Sequence, residues 1–107
     1  MIFLASGGQY SECSSDLGTY VWSGAIQAAQ NYRGGGFSDW RLPDIGELNL
    51  IYENLHQNGL GGFSNVVYYW SSTETSAGSV WLKNLGSGGE YGGDKRNSYT
   101  VRAVRDF

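Results

Sequence analysis

Two segments of the chain carry apolar residues at the three- and four-residue spacing of an amphipathic helix. In the first, residues 21–32, Trp22, Ala25, Ile26 and Ala29 fall on one face. Three consecutive glycines follow this segment and are expected to end the helix. The pattern predicts that this helix packs against the rest of the domain through its Trp- and Ala-bearing side.

The second helical segment is predicted over residues 44–57. Pro43 suits the helix entry because its φ is fixed and it has no N–H to leave unpaired there. Asp44 or Glu47 then places a carboxylate at the positive end of the helix dipole. The apolar stripe of this helix comprises Ile45, Leu48, Ile51, Tyr52 and Leu55.

After the second helix the period changes to two and glycine becomes frequent, which is typical of short strands joined by turns. Strands are predicted at residues 68–74, 79–85 and 99–106, with residues 86–97 as a long loop or a ragged hairpin. An opening strand is predicted at residues 2–5, and polar residues 11–18 are expected to form turns. This order of elements predicts an α+β domain.

The core is expected to be aromatic, because aromatic residues make up 15% of the chain and charged residues only 16%. Trp40, Trp70 and Trp81 are predicted to be mainly structural, since burying an indole removes a large area from water. The predicted core consists of Trp22, Leu48, Ile51, Tyr52, Trp70, Trp81 and Val104.

Two arginines in the last strand, Arg102 and Arg105, are predicted to hold carboxylates within the fold. A strand near the end of a domain is more often tied by ion pairs than used to read a ligand. Asp39, Glu47 and Glu74 are the candidate partners.

Three motifs in this order resemble one bacterial family. They are FSDWRLPDIGELNLIY at residues 37–52, YWSSTE at 69–74 and VRAVRDF at 101–107. Together they resemble the C-terminal domain of Legionella collagen-like adhesin and its relatives, over about residues 22–107. The resemblance implies a C-type-lectin-like fold, with two helices packed on a twisted antiparallel sheet with long late loops. It also implies a binding module, often at the outer end of a fibre, in an extracellular or cell-surface parent protein.

The length and charge of the chain narrow the choice of partners. Its 107 residues fit a single domain over residues 1–107. The net charge of −3 argues against nucleic acid as a partner, because backbone binding needs a concentrated positive face. No apolar stretch approaches the ~20 residues that span a bilayer, so no membrane insertion is expected. Residues 1–5 are too short and lack the basic start of a signal peptide, so for an exported parent the signal and stalk are expected either upstream or not at all.

The sequence shows no combination of residues that indicates an enzyme active site. The single histidine, His56, has no evident nucleophile or orienting partner, and capping of a helix end or solvent exposure is expected for it. The single cysteine, Cys13, is expected to be a small buried hydrophobe or an inert thiol. The family resemblance extends to formylglycine-generating enzymes, but Cys13 lies outside any matching motif and that activity is not carried over.

Calcium is not expected either, although many C-type lectins hold sugars through a bound Ca²⁺. The lectin motifs Glu-Pro-Asn, Gln-Pro-Asp and Trp-Asn-Asp are missing, since the only proline is Pro43, within Leu-Pro-Asp. Glu90 and Asp94 could hold an ion weakly, but a solvated loop is the preferred reading. We therefore expect no metal and no cofactor.

The late part of the chain combines aromatic, charged and amide groups with several glycines. That composition is typical of binding loops. The family resemblance implies that these loops form the ligand face. In some relatives the same region is varied by diversity-generating retroelements. The predicted ligand-binding residues are Lys83, Asn84, Glu90, Tyr91, Asp94, Lys95, Arg96, Asn97 and Tyr99.

These observations predict a non-enzymatic surface-recognition or adhesin module that binds a glycan, a glycosaminoglycan or another host-surface polymer. A polyanionic ligand would be held by Lys83, Lys95 and Arg96, and the weakness of such contacts would call for several copies, most plausibly a homotrimer. The alternatives are a trimerisation or fibre-tip capping domain, or a retroelement-varied display protein that binds protein ligands.

Overall fold

The computed structural model describes residues 2–4 and 10–106, and all elements named here lie in those ranges. They comprise two α-helices and eight β-strands, which confirms the predicted α+β class. The helices are α1 (Trp22–Asn31) and α2 (Ile45–Asn54), and the strands are β1 (Ile2–Leu4), β2 (Tyr10–Cys13), β3 (Thr19–Tyr20), β4 (Tyr68–Ser76), β5 (Ser79–Asn84), β6 (Glu90–Asp94), β7 (Tyr99–Thr100) and β8 (Val104–Asp106).

The strands form two sheets within the described part of the chain. The larger, five-stranded sheet has the order β3-β7-β4-β5-β6 and is antiparallel except for the β4–β7 pair. The smaller sheet is antiparallel with the order β1-β2-β8. The predicted single strand at residues 99–106 is wrong, because the chain crosses from the larger sheet to the smaller one between β7 and β8.

Strand β2 lies where turns were expected, at the start of residues 11–18. It pairs with β8, nearly the whole chain away, and the Ser11 hydroxyl donates a hydrogen bond to the Asp106 carboxylate at 2.8 Å. Strand β6 shows that residues 86–97 take the hairpin alternative. Its Gly93 is required by close packing, since a Cβ there would lie 2.5 Å from Leu82 Cδ1.

Helix α1 confirms the first helical prediction. It begins after Val21 and its C-cap is Tyr32. Ala25 and Ala29 are fully buried in the cluster that contains Trp70. Their small side chains let the helix lie close to the five-stranded sheet.

Helix α2 confirms the second prediction and starts with a capping box. The Asp44 carboxylate accepts a hydrogen bond from the Glu47 backbone N–H at 2.8 Å, and the Glu47 carboxylate accepts one from the Asp44 N–H at 3.0 Å. A 3₁₀ turn, His56–Asn58, follows the helix. Gly59 then ends this segment in the left-handed region at φ 72°.

Strand β4 separates two hydrophobic clusters. Trp70 faces the cluster beneath α1, whereas its neighbour Tyr69 faces the cluster beneath α2, as alternation along a strand requires. Of the predicted core, Leu48, Ile51, Trp70 and Val104 are buried, and Trp22 and Tyr52 are partly buried against the two clusters.

The prediction for Trp81 is wrong. Its side chain remains 36% exposed, because it alternates with the buried Val80 and Leu82 and points to the other side of β5. Gly92 lies opposite Trp81 on β6 and offers no side chain to cover it. Trp40, by contrast, is buried, and its Nε1 donates a hydrogen bond to the Gly34 carbonyl at 3.0 Å, which confirms its structural role.

Arg102 and Arg105 each hold a carboxylate, as predicted. Arg105 pairs with the expected Asp39 at 2.8 Å. Arg102 pairs instead with Asp16, which was not among the expected partners. It also donates to the carbonyls of Ser14, Gly61 and Gly62, so a buried guanidinium ties two loops together. Glu47 pairs with Arg41 and Glu74 with Lys95.

Candidate functional site

Three tyrosines from different strands share one face of the five-stranded sheet. Tyr68 lies two residues before Trp70 on β4 and so shares its face, Leu82 of β5 lies opposite Trp70, and Tyr91 of β6 lies opposite Leu82. Residues directly opposite each other in an antiparallel pair point to the same side. Tyr99 of β7 contacts the Trp70 ring from this side, with 4.8 Å between ring centroids. Tyr68, Tyr91 and Tyr99 are called the tyrosine row below.

The rings of the tyrosine row contact one another edge to face. The Tyr68 centroid lies 5.7 Å from that of Tyr91 and 6.0 Å from that of Tyr99. Tyr68 and Tyr91 are 38% and 47% exposed, and Tyr99 is partly buried over Trp70. Because all three are carried by strands, the surface holds its shape before any ligand arrives.

Of the two predicted asparagines, one belongs to this surface. The Asn97 side-chain N–H donates a hydrogen bond to the Tyr99 hydroxyl at 3.3 Å. The Asn84 side chain instead accepts hydrogen bonds from the backbone N–H groups of Gly86 and Ser87 at 2.9 and 3.0 Å. Asn84 therefore shapes the β5–β6 turn.

Lys83 and Glu90 lie opposite each other on the reverse face of the β5–β6 hairpin. Lys83 is only 3% exposed; its ammonium donates to Asn49 on α2 and to the Gly88 carbonyl, and lies 5.1 Å from the centre of the Tyr52 ring. Burial lowers the pKa of Lys83, since the charged form loses solvent. The prediction of Lys83 as an exposed ligand-binding cation is wrong: it joins the hairpin to α2.

The three remaining predicted residues lie at the turn between β6 and β7. Arg96 pairs with Asp94 at 2.8 Å, and the hydrogen bonds from Arg96 hold the pKa of that carboxyl down at about 2. Lys95 pairs with Glu74 at 2.7 Å and its ammonium lies 4.4 Å from the centre of the Trp22 ring. Lys95 thus links the turn to β4 and to the start of α1.

The predicted cluster of exposed cations is therefore wrong. Lys83 is buried, and Lys95 is held by an ion pair and an indole ring. Arg96 is the member that stays open to solvent, with 89% of its side chain exposed. One exposed arginine beside its own aspartate makes a weak site for a polyanion.

His56 and Cys13 have structural surroundings. His56 is half-buried, contacts Asn65 through its ring nitrogen and stacks on Tyr52 at 6.2 Å. Cys13 is buried in the α2 cluster, as predicted, and burial raises the pKa of its thiol to about 11. The thiolate needed for nucleophilic chemistry is thereby disfavoured.

Neither a cluster of metal-ligating side chains nor a membrane-spanning helix occurs in the described part of the chain. No group of three or more His, Cys, Asp or Glu side chains in that part of the chain could hold a metal ion. No helix within the same residues is long and apolar enough to cross a membrane.

Tyr68 is the member of the tyrosine row that was not predicted from the sequence. The available signal was its two-residue spacing from Trp70, which places both on one face of a strand. The nominated late residues Tyr91, Asn97 and Tyr99 do come together around it.

The fold and the exposed tyrosine row define a small α+β domain with an aromatic surface on its larger sheet. By sequence, the chain belongs to the Lcl C-terminal domain family, which it matches over residues 5–105. This confirms the family resemblance drawn from the three motifs. A comparison with curated proteins gave no match.

Proposed function

We propose that this domain is a non-enzymatic, adhesin-like recognition module of a bacterial or phage surface protein, and that it binds a neutral glycan through the tyrosine row. Membership of the Lcl C-terminal domain family supports the adhesin-like class. The observation that carries the ligand is the set of exposed, mutually packed rings of Tyr68, Tyr91 and Tyr99.

The chemistry of a tyrosine suits a sugar. A pyranose has C–H groups on its faces and hydroxyls around its edge, so it needs an apolar plane with polar groups beside it. Tyr91 and Tyr99 supply an apolar ring and a hydroxyl each, and Asn97 adds an amide. Rigid strand residues lose little entropy when they bind.

A neutral ligand fits this surface better than a sulfated one. The tyrosine row contains no basic side chain, and the residues predicted to hold a polyanion, Lys83, Lys95 and Arg96, are buried or paired. Glycosaminoglycan binding is therefore the less favoured form of the proposal.

The fold itself is proposed to be C-type-lectin-like. In support, two helices flank a largely antiparallel sheet, and the late strands β6 and β7 carry the exposed surface. A calcium-bound sugar site does not form part of the proposal, since the ligand-bearing lectin motifs are missing from the sequence.

A glycan array tests the proposal. The protein is applied with and without chelator, beside Tyr91→Ala and the matched control Tyr10→Ala, a tyrosine 57% exposed on the smaller sheet. We expect neutral glycan binding that survives the chelator, is lost in Tyr91→Ala and persists in Tyr10→Ala. Absence of neutral binding, or equal loss in both variants, would contradict the proposal.

A fibre-tip capping or trimerisation role and a protein-binding display role are the alternatives. The exposed apolar residues Val66, at 85%, and Trp81, at 36%, would favour self-association. Sedimentation of the parent beside Trp81→Ser separates these readings: a trimer lost in Trp81→Ser, without glycan binding, would favour the capping role.

A further inference from the structure

A groove runs along the side of α1 that does not carry its buried alanines. It is open to solvent and has a volume of about 510 Å³, within the range of small-ligand sites. Helix α1 lines it with Gly24, Gln27, Ala28 and Asn31. Their spacing puts them on one helix face, which the buried alanines of α1 do not share. The two small residues leave room between the two amide side chains.

An aromatic ring stands at each end of the groove. Tyr20 packs against the start of α1, where a Cβ on Gly24 would lie 3.5 Å from its ring, and its carbonyl accepts a hydrogen bond from Trp70 at 2.6 Å. Tyr32 packs edge to face on the buried Trp40, with 4.8 Å between centroids. Both rings are thus held by the fold.

We propose that this groove is a second glycan subsite, which takes an uncharged pyranose unit. Its lining residues carry amides, phenols and apolar surface, with Leu17 completing the wall, and none of them is Asp, Glu, Lys, Arg or His. Gln27 and Asn31 would exchange hydrogen bonds with sugar hydroxyls, and the ring of Tyr20 or of Tyr32, whichever lies beside the sugar, would contact its C–H face. The groove spans about 10 Å of helix, which exceeds one sugar ring.

The groove and the tyrosine row are neighbours through one strand pair. Tyr20 lies opposite Tyr99 in the β3–β7 pair, so it borders both surfaces. A linear oligosaccharide could therefore contact both, which makes the ligand an extended chain. This inference rests on the proposed function.

The test is an NMR titration of the labelled protein with chitotriose, maltotriose and cellotriose as probes. The side-chain amides of Gln27 and Asn31 report on the groove, and that of Asn97 reports on the tyrosine row. We expect one trisaccharide to shift all three signals. Losing both groove amides, in Gln27→Ala/Asn31→Ala, should weaken its binding roughly tenfold. Gln30→Ala, an exposed residue of the same helix outside the groove, should bind as the parent does.

The outcomes separate the two claims. Shifts at Asn97 alone, with unchanged affinity in the double variant, would overturn the subsite and leave the proposed function standing. Shifts at Gln27 and Asn31 alone would support the subsite and contradict binding at the tyrosine row. No shift at either surface would overturn both.

Discussion

The two faces of the β5–β6 hairpin use their polar residues in opposite ways. On one face, Lys83 is buried beneath α2 and bound by Asn49 and the Gly88 carbonyl. On the other, Tyr91 is 47% exposed and packs edge to face against Tyr68. The charged side chain stabilises the fold, and the exposed aromatic one belongs to the proposed binding surface.

The same division holds at other cations. Arg102 ties two loops through three carbonyls and Asp16, and Lys95 joins the β6–β7 turn to Glu74. In a domain with 16% charged residues, the basic groups mostly close loops. Exposed tyrosines and amides therefore remain as the proposed recognition groups, which is the reason for proposing a neutral ligand.

The largest expected effect contrasts the buried and the exposed indole. Trp70→Ala should cost about 3–5 kcal/mol and leave the domain largely unfolded, because it empties the cluster beneath α1. Trp81→Ala should cost less, about 1–2 kcal/mol, because the residue is already 36% exposed. Urea denaturation measures both. Equal losses would break the contrast between buried and exposed aromatics.

The next effect concerns the buried guanidinium. Arg102→Met should lower the free energy of unfolding by about 2–4 kcal/mol, because buried carbonyls lose their donors. Arg96→Met is the matched control: its side chain is 89% exposed, and no measurable change is expected. Thermal melts of the two variants would contradict this account if their shifts were alike.

Lys83→Met probes the buried face of the hairpin. The variant loses the hydrogen bonds of the ammonium group, but it also no longer buries a charge. Burial already lowers the pKa of Lys83, so the two effects oppose each other and the free energy of unfolding should stay within about 1 kcal/mol of the parent. Glycan binding, measured in parallel, should not change. If Lys83→Met is as stable as the parent but no longer binds the glycan, Lys83 belongs to the ligand site after all.

The smallest effect is a response to acid. Hydrogen bonds from Ser11 and Arg41 lower the pKa of Asp106 below its ordinary value of 3.8. Its stabilisation is therefore complete above that value and is lost as the pH falls through the folded-state pKa. Asp106→Asn should flatten the loss of thermal stability between about pH 5 and about pH 2. If Asp106→Asn loses thermal stability at low pH as the parent does, other carboxylates determine the acid response.

The helices were predictable because their signals are local. The α1 stripe and the Asp44–Glu47 cap are both short-range patterns, and the structure contains both. Strand β2 was missed because its partner β8 is remote in sequence and its own residues look polar. The chain leaves one sheet after β7 and joins the other at β8. The alternation of apolar and polar residues along a strand does not show which sheet the strand joins.

The candidate site was predictable in composition but not in arrangement. Tyr91, Asn97 and Tyr99 were predicted from their side-chain chemistry. The pairing of the strands brings them together with Tyr68. Lys83 was misjudged because its alternation with the buried Leu82 suggests a solvent-facing side chain. Helix α2 covers that side, and this packing follows only from the tertiary structure.

The central claim is that exposed tyrosines, and not cations, recognise the ligand. Its most direct measurement is binding of the parent, Tyr91→Ala and Arg96→Glu to a neutral glycan and to immobilised heparin across a salt series. The account predicts neutral binding that barely changes with salt, falls at least about tenfold in Tyr91→Ala and persists in Arg96→Glu. Binding to heparin alone that drops steeply with salt and disappears in Arg96→Glu, with Tyr91→Ala equal to the parent, would contradict it.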